Sequence, residues 1–164
     1  MEQVIEPWGD FLEVAAGAAG ALAGLLFVAL SINLDRIVKL PGLAGRAGET
    51  LLPLAGSLVS TLVALIPHES PRVLGALLLV VGLAVWAVPT ALQIRAWGRH
   101  RHYSAPIAVF RFVTYQIATL PAVIAGFAVM GVVPGGLYWL GAFVVLSLVV
   151  AMTNAWVLLV EIMR

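Results

Sequence analysis

A chain of 164 residues with 62% hydrophobic and only 10% charged side chains, at a mean hydropathy of +1.07, carries more apolar surface than a water-soluble domain of this length can bury. Lipid is therefore the solvent for most of it. The absence of cysteine removes disulfides, thiolate zinc sites, iron–sulfur clusters, c-type haem attachment and a cysteine nucleophile together, and a formal charge of +1 offers nucleic acid no basic surface.

The chain opens with Glu2, Glu6 and Asp10 and no basic residue, the opposite of a secretory n-region, so no removable signal peptide is expected. A helix needs about 20 apolar residues to cross the hydrocarbon. Measured against that length, the uncharged runs predict an all-α polytopic bundle, a single transmembrane domain over 1–164 with helices near 11–38, 49–67, 72–97, 106–131 and 137–163. The uncharged stretch from Phe112 to Val160 is long enough for two spans, and the Gly131-Val-Val-Pro134-Gly135-Gly136 segment supplies a tight connection between them. Pro121 is expected to kink the fourth helix rather than end it, since each half alone is too short to span.

Basic residues set orientation, because cytoplasmic loops collect Lys and Arg. Five spans with the N-terminus outside place Arg36, Lys39, Arg46, Arg95, Arg99, Arg101, Arg111 and Arg164 in the cytoplasm and leave Arg72 outside. Trp8 and Trp139 then suit the outer boundary, and Trp97 and Tyr103 the inner one.

At about 100° per residue, Glu13, Gly17, Gly20, Gly24, Ser31 and Asp35 fall within one narrow stripe of the first helix. Its centre, Gly20-Ala-Leu-Ala-Gly24, is a GxxxG motif that lets another backbone approach closely in lipid. The stripe reads as a packing face, within the chain or between copies, with the two acids marking the wet ends. A ring of copies would instead make it the lining of a cation pore.

Further small or polar faces mark places where helices should meet: Ser57, Ser60 and Thr61 on the second helix, and Gly75, Gly82, Trp86, Pro89 and Gln93 on the third. Tyr115 and Thr119, in line with Arg111 and running toward Ala122 and Gly126, mark the fourth; Ser147, Ala151 and Asn154, continuing to Glu161, mark the fifth. Arg111 lies at a depth similar to Asp35, so it either pairs with that acid or snorkels to headgroups. The basic segment Arg99, His100, Arg101 and His102 reads as a headgroup-binding loop.

Reactive chemistry is scarce. His100 and His102 have no third ligand nearby, His68 sits in a turn, and no histidine falls within a span, so neither a metal site nor a haem or other cofactor is expected. No carboxylate lies near a helix centre to serve a protease dyad or a proton relay, and no phosphate-binding glycine loop is present. Catalytic residues, and hence an enzyme, are not expected.

The stretch Gly24-Leu-Leu-Phe-Val-Ala-Leu-Ser-Ile-Asn-Leu34, with Leu40-Pro-Gly42 and Arg46 after it, resembles small uncharacterised multi-pass proteins of bacterial inner membranes over the first third of the chain. The resemblance implies a bacterial plasma membrane and lends no activity to any residue. The expected function is that of a non-enzymatic membrane protein acting by helix association, as an accessory or regulatory subunit or a self-associating scaffold. An oligomeric cation channel lined by the first helix is the alternative, and a small-solute transporter the third reading. Its partners would be the lipid bilayer and either a second copy or another membrane protein, with no nucleic acid.

Overall fold

The computed structural model describes residues 6–39, 43–67, 70–97 and 105–163, and these are almost wholly helical. A 3-10 turn, Glu6–Trp8, leads into α1 (Gly9–Ile32), followed by α2 (Leu34–Lys39), α3 (Leu43–Leu65), α4 (Pro71–Trp97), α5 (Ala105–Val129) and α6 (Tyr138–Met163). All but α2 are long and apolar enough to cross a membrane. Helices dominate because lipid offers backbone amides and carbonyls no partners, so each span must satisfy its own.

Helices α3, α4, α5 and α6 close into a ring in which each packs on the next, while α1 lies outside and leans on α3. Phe143 of α6 fills the middle of the ring, fully buried beside Gly56 of α3 and Val85 of α4. The closest seam joins α4 to α5. A Cβ placed on Gly82 would stand 2.7 Å from the Ala122 carbonyl oxygen, and one on Gly126 would stand 2.7 Å from the Leu79 Cα. One on Gly75 would meet the Gly126 carbonyl oxygen at 2.8 Å. Without a hydrophobic drive between helices in lipid, this approach of backbone to backbone supplies the van der Waals contact that holds the pair.

The long uncharged run is split at its glycines. Gly131 closes α5 with φ +83, while the Gly131 N–H bonds to Ala128 O at 3.1 Å and the Val132 N–H bonds to Phe127 O at 3.0 Å. That pattern is a Schellman termination, which favours glycine because other residues resist the left-handed backbone. The Trp139 indole N–H then donates to Pro134 O at 3.0 Å, tying the turn to the first residues of α6. Trp8 stacks edge-on against Tyr138 at 4.9 Å and covers Gly141, which pins the start of α1 to the start of α6.

Two helix boundaries differ from the reading of the sequence. The first span does not run unbroken over 11–38, because Asn33 ends α1: its N–H bonds to Leu30 O and its side-chain amide donates to Ala29 O. The Asn33 carbonyl accepts from the Arg36 and Ile37 N–H groups, so the same residue opens α2. Asp35 thus sits on a separate short helix, and the stripe from Glu13 stops at Ser31. The second span begins at Leu43 rather than near 49, because Gly45 and Gly48, poor helix formers alone, are carried by packing of Leu43 and Ala47. Arg46 and Glu49 are consequently helical.

The seam makes a direct prediction. Gly82→Ala or Gly126→Ala should lower bundle stability by about 1–3 kcal/mol in detergent unfolding, because neither carbonyl nor Cα can give way cheaply. Gly17→Ala, where a Cβ meets nothing within 4 Å, should not. Equal effects at the two places would mean that close backbone contact does not hold α4 to α5.

Candidate functional site

The antiparallel ring sorts charge to its ends. Arg36, Lys39, Arg46, Arg95 and Arg111 all lie where α1 and α4 finish and α3 and α5 begin, whereas Arg72, Asp10 and Glu13 belong to the opposite end. Just inside the basic end, the Arg111 guanidinium of α5 donates to the Glu49 carboxylate of α3 at 2.7 Å, with both side chains partly buried. The acid that Arg111 meets is therefore Glu49 and not Asp35, which α2 turns outward. The physical reason is the early start of α3, which carries Glu49 into the bundle, together with the break at Asn33, which carries Asp35 out of it.

One turn farther in, proline creates a need that tyrosine meets. Pro89 lacks the N–H that would have bonded the Val85 carbonyl four residues earlier in α4. The Tyr115 hydroxyl of α5 donates to that same carbonyl from across the seam. Beside it, the Trp86 indole N–H donates to the Gln116 side-chain carbonyl, and the Gln116 amide donates to Thr90 Oγ1 at 3.1 Å. Gln93 follows Thr90 on the same face of α4, and both polar atoms of its amide are enclosed without a hydrogen-bond partner.

The other singled-out residues fall into three groups. Ser57, Ser60, Thr61, Thr119 and Ser147 are buried, Tyr115 among them, and Asn154 is half-buried. Several of these hydroxyls do not bond across helices: Ser57 donates to Leu54 O, Thr61 to Ser57 O, Thr119 to Tyr115 O and Ser147 to Val144 O, each on its own helix. They make room at the interface and satisfy themselves.

The stripe of α1 behaves differently. Leu12, Ala15, Ala16, Ala19 and Leu26 are buried, while Glu13, Gly17, Gly24 and Ser31 face outward. Gly20 stands at the margin, where a Cβ would touch only Leu58 at 3.8 Å. The helix turns an alanine-rich face bounded by Leu12 and Leu26 inward, and leaves Gly17 and Gly24 uncovered together with Val14, Leu25, Phe27 and Val28. Arg99, His100, Arg101 and His102 lie outside the described residues, as do Tyr103 and Arg164, and the Glu161 side chain is likewise not described.

Glu49 and Gln116 escaped the reading of the sequence. Glu49 stands at the first position of the expected second span, and Gln116 lies between Tyr115 and Thr119 with no charge to mark it. A signal existed for Gln116, since a lone amide within an uncharged run must find a partner inside the bundle. No family model, curated protein or solved structure matches the chain.

Tyr115→Phe should cost about 1–3 kcal/mol by stranding the Val85 carbonyl, and much less in a Pro89→Ala background where the backbone regains its own donor. A double-mutant cycle in detergent unfolding checks this, and an identical cost in both backgrounds would refute the division of labour. For the ion pair, Arg111→Met or Glu49→Leu alone should destabilise more than the two together, because either single change leaves an uncompensated charge within the bundle.

Proposed function

We propose that the protein acts by association within the membrane, as an accessory subunit or scaffold, through the outward face of α1. The observation that supports this is the contrast between its glycines. A Cβ on Gly75, Gly82 or Gly126 would press on neighbouring backbone, whereas one on Gly17 or Gly24 would meet nothing within 4 Å. The glycines of the outer face are thus dispensable for packing within one chain, and what they permit is the close approach of a helix from outside it.

The cation pore draws less support. Its acidic ring at the basic end required Asp35 on the same helix as Glu13, and Asp35 belongs to α2. The reading is completed by a bacterial plasma membrane, by the basic end in the cytoplasm and the N-terminus outside, and by an absence of enzymatic activity. A side-specific tag on the C-terminus tests the orientation.

Gly17→Leu and Gly24→Leu should leave the bundle folded and shift the purified assembly toward smaller particles, read as mass in lipid nanodiscs. Unchanged particle mass in both variants would sink the association reading. Cation flux in liposomes that falls with Glu13→Gln would favour the pore instead.

A further inference from the structure

The short helix α2 belongs neither to the outward face of α1 nor to the hydrogen bonds between α4 and α5, yet its six residues are sorted by polarity. At about 100° per residue, Leu34, Ile37 and Val38 share one side of the helix, and Asp35, Arg36 and Lys39 share the other. The bundle uses only one of the three apolar residues. Ile37 is buried with Leu43, the first residue of α3, and Leu30 of α1 packs against that cluster. Leu34 and Val38 remain 56% and 71% exposed.

The neighbouring spans fix the level at which this happens. α1 has 24 residues, which at a rise of about 1.5 Å make about 36 Å of helix against roughly 30 Å of hydrocarbon, so its end at Ile32 reaches the bilayer surface. The apolar window of α4 closes at Arg95, at the same end of the bundle. The Asn33 carbonyl then accepts from the Arg36 and Ile37 N–H groups and starts a new helix there. Burial of Ile37 with Leu43 keeps that helix against the ends of both spans.

We propose that α2 is an interfacial helix that docks on phospholipid at the basic end, with Leu34 and Val38 seated among the first carbons of the acyl chains and Asp35 and Lys39 facing the headgroups. A helix divided into an apolar and a charged side and held at this level has the form that lies in the plane of a leaflet. Its polar side carries two cations against one acid, the sign that suits headgroup phosphates, and a lysine stem can stay in apolar surroundings while its ammonium reaches them. Docked in this way, α2 holds the ends of α1 and α3 at a set depth. This contact does not depend on what the outward face of α1 binds.

The chain contains no cysteine, so a single introduced cysteine reports one position. Leu34→Cys, Asp35→Cys, Val38→Cys and Lys39→Cys are spin-labelled one at a time in the full chain, and all four side chains are exposed, so no label displaces a packed group. In vesicles of phosphatidylcholine and phosphatidylglycerol, electron paramagnetic resonance measures how often each label collides with oxygen, which concentrates among acyl chains, and with a water-soluble nickel chelate. An oxygen-to-nickel ratio several-fold higher at positions 34 and 38 than at 35 and 39 is the expected result. A similar ratio at all four positions would overturn the docked helix. Labels at 34 and 38 that are shielded from both reagents would overturn it too, because protein, such as a second copy, would then cover that side in place of lipid.

Discussion

The contact of backbone with backbone along the α4–α5 seam is the constraint on which the polar interior depends. Gly75 and Gly82 on one side and Gly126 on the other remove the side chains that would hold the two helices apart. Only at that separation can a tyrosine hydroxyl on α5 reach a main-chain carbonyl of α4, and an amide on α5 reach both an indole and a hydroxyl. Hydrogen bonds weaken steeply beyond their normal length, so a seam opened by one methyl group would cost several of these contacts together.

Polar groups in this bundle follow two strategies. Buried serines and threonines such as Ser57, Thr61, Thr119 and Ser147 turn back on carbonyls of their own helices, which satisfies them without tying one helix to another. Larger side chains, namely Tyr115, Trp86, Gln116 and Arg111, reach across. Orientation between helices is therefore set by a few long polar side chains from the middle of the bundle to its basic end, while the opposite end relies on aromatic packing of Trp8 with Phe11 and Tyr138.

Much of the architecture was legible because lipid leaves few solutions. Run length counted the spans, and the glycines near Pro134 divided the final run where α5 ends and α6 begins. The exceptions have specific causes. A stripe drawn by helical angle cannot say which way the helix turns, so the GxxxG face of α1 was readable as a surface but not as an outward one. The Asn33 break was hidden because asparagine both caps and tolerates helix, and only its bonds to Ala29 and from Arg36 and Ile37 distinguish the two. Pairing of Arg111 with Glu49 depended on that break and on the early start of α3, neither of which hydropathy registers.

Pro89 also bears on how the chain is assembled. Helices emerge in order from the N-terminus during synthesis, so α4 is complete before α5 exists. Until then the Val85 carbonyl has neither a backbone amide from residue 89 nor the hydroxyl of Tyr115, and it sits near the middle of a segment bound for lipid. The third span is thus made with a debt that only the fourth can settle, which favours delivery of the two into the bilayer as one hairpin rather than as successive independent helices.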